Sequence, residues 1–149
     1  MPLIITESVT SLSVRIRATG QRVHASLVMA FTRIAIGLQQ YIVTQKLEGQ
    51  VLHHRSGKLI RSIQQHIEDS GNTIAAVVQA GSLAPFAAVH EWGGMFNIPE
   101  HQSFSRAGRA FSVRAHTATF PERSFMRSSL REYKDTALRE IRAALNNAA

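Results

Sequence analysis

The sequence predicts an α+β domain: a long N-terminal helix and a C-terminal helix packed on a small antiparallel sheet, with a projecting β-hairpin. Three observations carry that expectation. Two long stretches place apolar residues at three- and four-residue steps, two short stretches between them alternate or run apolar around a polar turn, and a third stretch has strand-like residues without enough apolar surface for a core.

Residues 1–19 read as an N-terminal arm. Leu3, Ile4 and Ile5 suit an edge strand, and residues 11–18 alternate apolar and polar side chains, which favours strand; a helix is the alternative. Gly20 marks a break before a helix expected over residues 21–50 and ended by Gly49. Its stripe comprises Val23, Leu27, Ala30, Phe31, Ile34, Leu38, Tyr41 and Ile42, with Val28, Ala35, Ile36 and Val43 widening it. So wide a stripe fits either a central buried helix or one whose far side meets a neighbouring subunit.

A short helical turn follows, in which Ser56 is a suitable N-cap, Gly57 gives the chain room to turn, and Leu59, Ile60 and Ile63 share a side. Residues 62–69 and 72–80 form two expected strands joined by Asp69-Ser70-Gly71-Asn72, a turn of hairpin type. Ile74 to Val78 is apolar on both faces, so the second strand should be central. Pro85 suits the first position of another short helix carrying Phe86, Ala87 and Val89, stopped at Gly93-Gly94, with Trp92 expected at a core boundary.

Residues 95–119 form the expected extended hairpin, with strands over 102–106 and 110–117 and a tip at 107–109. Its arginines and aromatics cannot make a core by themselves. After Pro121, Ser124 is a suitable cap for the last helix, which puts Met126, Leu130, Tyr133, Ala137, Ile141 and Leu145 on one face.

A length of 149 residues fits one domain, and 44% hydrophobic with 18% charged residues is an ordinary globular composition. There is no cysteine, which excludes disulfides and thiolate metal sites. No uninterrupted apolar run reaches the ~18 residues of a bilayer span, because Arg33 breaks the best candidate. The N-terminus lacks a basic start and a long apolar stretch, so no secretory signal and a cytoplasmic site of synthesis are expected.

The outlying property is charge: a formal +7, with 14 arginines against 3 lysines. Such an excess suits a polyanion or an acidic protein surface, and arginine suits planar, bidentate contacts to either.

Catalytic signatures are weak. His53-His54 are adjacent, where a helical zinc site needs spacings of three or four; His90-Glu91 has no second histidine; His101 and His116 meet only in a favourable hairpin register. No serine sits in a Gly-x-Ser-x-Gly elbow, no glycine-rich phosphate loop appears, and the ten acidic residues offer no evident carboxylate pair. No enzyme activity, metal or cofactor is expected.

Three stretches stand out by order and spacing: Arg55-Ser56-Gly57-Lys58-Leu59-Ile60-Arg61-Ser62-Ile63, then Phe86 to Gly94 with Glu91-Trp92-Gly93, then Pro121-Glu122-Arg123-Ser124-Phe125-Met126-Arg127. Singly, each reads as caps, turns and anchors. Together, over residues 20–146, they resemble the tail-completion or neck proteins of long-tailed bacteriophages, also known as minor tail, head–tail joining or virion morphogenesis proteins. Ser56 stands where threonine is commoner, Ser124 where a second proline or another small residue is frequent, and Trp92 where phenylalanine is usual.

The resemblance implies a structural virion protein, assembled in the host cytoplasm. It would form a homo-oligomeric ring of six copies at the head-proximal end of the tail, between the neck or connector and the tail tube or tail terminator, with DNA passing through its lumen and no membrane partner. It also implies a short strand and then a short helix near the N-terminus. The family-motif positions are Arg55, Ser56, Gly57, Leu59, Ser62, Glu91, Trp92, Gly93, Pro121, Arg123, Phe125 and Arg127. Candidate interface residues are Phe96, Phe104, Arg106, Arg109, Phe111, Arg114 and His116 on the hairpin, with Phe31 and Ile36 on the long helix. The alternative function is a basic nucleic-acid-binding protein contacting phage DNA, in which the arginines clamp phosphates and Phe104 and Phe111 stack on bases.

Overall fold

The computed structural model describes the backbone of residues 4–8 and 11–15 and all atoms of residues 20–48, 57–81 and 86–148. Its main sheet has the strand order β1-β2-β4-β3, all antiparallel, from β1 (Ile4–Ser8), β2 (Ser11–Arg15), β3 (Ile63–Asp69) and β4 (Thr73–Ala80). Residues 4–8 and 11–15 therefore belong to the sheet instead of forming a separate arm. The short helix implied near the N-terminus is absent from residues 11–15, which are strand.

The turn between β3 and β4 is the expected one. Gly71 adopts φ 80°, Ser70 N–H donates to the Thr73 carbonyl at 3.0 Å, and the Asp69 carboxylate accepts from Gly71 N–H at 2.9 Å. Its other oxygen meets His24 Nε2 at 2.8 Å, tying the turn to the first helix. The backbone donor at Gly71 and the His24 contact hold the Asp69 carboxyl below its ordinary range. Strand β4 is central, as its two-sided apolar character requires.

Helix α1 (Gln21–Tyr41) continues as a π-helical segment, Ile42–Leu47, and the expected stop at Gly49 lies outside the described residues. Helix α4 (Met126–Ala148) runs antiparallel along α1: Ser26 Oγ donates to the Ala144 carbonyl at 3.0 Å near one end, and Tyr41 donates to Glu132 at 2.6 Å near the other. The layers are sheet, α1, α4, so α1 is buried on two sides. That arrangement explains the width of its apolar stripe. Leu27, Ala30, Phe31, Ile34 and Ala35 pack with Ile74 and Ala76 below and with Ala137, Ile141 and Ala144 above.

By length and mean hydropathy Gln21–Leu47 is apolar enough to cross a bilayer, a test that the core helix of a folded domain also passes, although Arg33 interrupts its apolar run. In the fold its apolar stripe is spent on the sheet and α4, and Arg33 faces solvent beside Glu140 at 3.3 Å.

The helices approach closely at Gly37. A Cβ added there would lie 2.1 Å from the Tyr133 hydroxyl oxygen and 3.0 Å from Cζ. Gly37→Ala is expected to cost about 1–2 kcal/mol, the overpacking term outweighing alanine's gain in helix propensity. Chemical denaturation should show most of that loss recovered when Tyr133→Phe removes the hydroxyl in the same chain.

Candidate functional site

The second and third motif stretches meet at the N-terminus of α4. Helix α3 (Ala87–Trp92) is short, capped at its C-terminus by Gly93, whose N–H donates to the Val89 carbonyl at 2.8 Å. It delivers Glu91, 5% exposed, against the first turn of α4, where backbone N–H groups have no helical partner. One carboxylate oxygen accepts from Phe125 N–H (2.8 Å) and Met126 N–H (2.9 Å). The other accepts from Arg127 N–H (3.0 Å), Arg127 Nε (3.0 Å) and the Ser124 hydroxyl (2.9 Å).

A carboxylate at a helix N-terminus is favoured both by these donors and by the helix dipole. Burial pushes the Glu91 carboxyl up, but the backbone donors of Met126, Arg127 and Phe125 with the Ser124 hydroxyl outweigh it and hold the group below its ordinary value. Ser124 lies two residues before α4 and its hydroxyl accepts only from Ser128 N–H at 3.3 Å; the cap expected of it is supplied by Glu91, 34 to 36 residues away in sequence.

Arg127 closes the cluster. Besides Glu91 Oε1 it donates to the Glu91 carbonyl at 3.0 Å and to the Glu122 carboxylate, and its guanidinium lies 3.8 Å from the centre of the Trp92 ring. Trp92 is 54% exposed, so it does not plug a core boundary. It was expected there because tryptophan is usually buried; stacking on a held arginine is the reason it can remain at the surface. Arg123 N–H donates to the His90 carbonyl at 2.8 Å, and burial, then the Arg123 charge, lowers the pKa of His90. Phe125 is fully buried and anchors the α4 start in a second core cluster with Leu38, Ile42, Leu47, Ile63, Val78 and Ala87.

The first motif joins the same cluster through Ile63, with Leu59 and Ile60 packed against it. Its Gly57, with φ 64°, precedes helix α2 (Lys58–Ser62) and makes no side-chain cap; Arg55 and the capping role given to Ser56 lie outside the described residues. Ser62 is buried, its hydroxyl donating to the Leu59 carbonyl at 2.7 Å. Pro121 is exposed between the arm and the α4 start.

Everything between Gly93 and Pro121 is one projecting arm. Strand β5 (Gly94–Ile98) pairs with β8 (His116–Phe120), and β6 (His101–Phe104) pairs with β7 (Ala110–Val113). The extended hairpin expected over residues 95–119 is present, but β5, which completes its inner ladder, lies outside the expected strands at 102–106 and 110–117. The two ladders keep one register and are separated at Pro99, which has no N–H to donate to a ladder. The tip is a five-residue loop: Ser105 N–H donates to the Arg109 carbonyl at 2.8 Å, Gly108 N–H to the Ser105 carbonyl at 2.9 Å, and Gly108 adopts φ 77°.

No residue from position 94 to 120 is buried. Met95 (75% exposed), Phe104 (71%), Phe111 and Phe96 stand in solvent, and the Phe96 ring meets that of Phe120 edge-on at 5.8 Å. Arg106, Arg109, Arg114 and His116 are exposed too. The register sets His101 opposite Val113 and His116 opposite Ile98, so the two histidines do not pair. Each ring instead contacts a backbone carbonyl two residues earlier, of Pro99 and Arg114.

Of the two helix residues expected at an interface, Ile36 is 40% exposed, and Met29, two turns earlier on the same side, is exposed as well. Phe31 is fully buried among α1, β4 and α4, so it cannot face a neighbour; it lay on the part of the wide stripe that the fold itself covers.

Among the described residues no group of three or more His, Asp and Glu side chains comes together as a metal would need, and every buried side-chain nitrogen or oxygen has a hydrogen-bond partner. The geometry is that of a rigid mount: Glu91 binds the element that enters the arm to the element that leaves it, and the arm carries the exposed apolar surface. No protein-family model, curated protein or solved structure matches the chain.

Proposed function

We propose that this protein is a structural, non-enzymatic virion subunit that closes with copies of itself into a ring at the head-proximal end of a long-tailed phage tail, completing the tail and joining it to the neck. The observation that carries the reading is the arm, 27 residues with none buried and four large apolar side chains in solvent. An isolated two-stranded hairpin is marginal in water, so an arm of this length and composition calls for a covering surface. A ring needs two different complementary surfaces per subunit. The arm is one. The exposed side of α1 around Met29 and Ile36 is the other, and the resemblance of the three motif stretches to neck proteins supplies the ring and its location.

The arm's inner ladder is the part suited to a protein neighbour. Residues 94–98 and 116–120 carry no Asp, Glu, Lys or Arg, and they include Met95 and Phe96. Native mass spectrometry of the full chain should show one closed oligomer, and either Met95→Asp or Ile36→Asp should shift it to monomer while circular dichroism stays unchanged. A wild-type monomer at all concentrations, or both variants assembling like the wild type, would contradict the reading.

A further inference from the structure

The two ladders of the arm differ in chemistry. The inner one carries no Asp, Glu, Lys or Arg, whereas the segment between its strands, residues 99–115, holds Arg106, Arg109 and Arg114 against one carboxylate, Glu100, which accepts from the Ser112 hydroxyl at 3.1 Å. All three arginines are exposed, and no ion pair is found for them among the described residues. Phe104 and Phe111 stand beside them, 71% and 47% exposed; their cross-strand partners are Ala110 and Ser103, and as adjacent register positions they occupy opposite faces of the ribbon.

We infer that the outer ribbon, β6–β7 with its tip, is a binding element for double-stranded DNA. Charge selects an anionic partner. A second copy of the chain is a poor one, because the chain as a whole carries +7 and the remainder outside the arm is also net basic. Shape selects the duplex: a lone two-stranded ribbon, with strands about 4.8 Å apart, is one of the few protein elements that enter a major groove about 12 Å wide. The tip arginines, Arg106 and Arg109, lie within a loop held by Ser105 and Gly108 and reach the phosphates on either side, and a phenylalanine on each ribbon face meets apolar base edges or sugars. The DNA contact does not rest on ring formation, which uses the inner ladder.

The test is fluorescence anisotropy of a labelled DNA duplex titrated with the full chain over a range of salt. The log affinity should fall with log salt by about 0.9 per phosphate contact, hence with a slope of roughly 3 for three arginines. Arg106→Gln, Arg109→Gln and Arg114→Gln combined should remove most of that slope and lower affinity at low salt by about tenfold or more.

The control is a chain of equal net charge, with Arg131→Gln, Arg139→Gln and Arg142→Gln on the exposed side of α4. It should bind nearly as the wild type. Equal losses in the two triple variants would mean that the overall charge, and not the ribbon, holds the DNA, and would overturn the inference. Absence of duplex binding at low salt would overturn it too, as would DNA binding unchanged by the arm variant. Phe104→Ser with Phe111→Ser should weaken binding at an unaltered salt slope; no change would contradict insertion into a groove. Native mass spectrometry of the arm variant should show the wild-type oligomer, which keeps this result separate from the ring.

Discussion

Glu91→Ala should lower the stability of the folded chain by about 3 kcal/mol, through two losses acting together. The substitution strips the acceptor from Phe125, Met126 and Arg127 N–H groups at a helix start that is largely shut off from water, and it removes one of the two carboxylates paired with the Arg127 guanidinium among the described residues. For a chain of this size the melting temperature would drop by roughly 6–12 °C. Glu91→Gln retains an acceptor of the same shape but loses the charge, so it should cost less, about 1–2 kcal/mol. Differential scanning calorimetry on the two variants measures both numbers.

The same site fixes a pH dependence. The folded-state pKa of Glu91 lies below the ordinary value of 4.5, so its stabilisation is fully present above that pH and is lost as the pH falls through the folded value. Asp69 and Glu132 are lowered as well, Asp69 by Gly71 N–H and His24, Glu132 by Lys46 and Tyr41. The difference between wild type and Glu91→Gln isolates the buried group. It should be constant from neutral pH down to about 4.5 and then shrink. A difference unchanged well into acid would show that the Glu91 charge contributes nothing there.

Gly93→Ala should cost about 3 kcal/mol and, more tellingly, should turn the arm. Gly93 has φ 62°, where an L side chain is strained, and a Cβ there would stand 2.5 Å from Glu122 N and 2.8 Å from the Phe120 carbonyl oxygen. Those are backbone atoms at the other end of the arm. They can yield only if the strand leaving the arm moves away from the strand entering it, which would break the Gly94–Phe120 end of the ladder. Amide chemical shifts of residues 94–98 and 116–120 should change as a group, whereas α1 and β4 should keep theirs. Oligomer formation should weaken in parallel.

The sequence told most about elements whose signal is local. The stripe of α1, the Asp69-Ser70-Gly71-Asn72 turn and the two-sided apolar run of β4 each state their structure within a few residues, and each forms as expected. What it withheld depends on distant partners. Phe31 and Ile36 look alike on the helix stripe, and only the position of α4 decides that the first is buried and the second is not. Glu91 stands in a motif read as a turn; nothing near it in sequence says that its carboxylate caps a helix more than thirty residues later.

The arm is an intermediate case. Its outer strands are visible as alternation around a Gly-containing tip, but β5 is not, because Gly94 and Asn97 dilute its strand character, Pro99 follows it at once, and its pairing partner lies about twenty residues away. The Trp92–Arg127 stack had a weaker signal still. Trp92 beside the glycine pair and Arg127 in the third motif lie 35 positions apart, and nothing local to either brings them together.

The proposed ring requires the arm to be covered by a neighbouring subunit. Amide hydrogen exchange over residues 94–120, followed as protein concentration rises, tests this most directly. The account predicts that the amides on the open edges of β5 and β8 become protected in step with assembly, while the amides of α1 and β4 stay protected throughout. Arm amides that exchange at the same fast rate in the monomer and in every assembled state would contradict it.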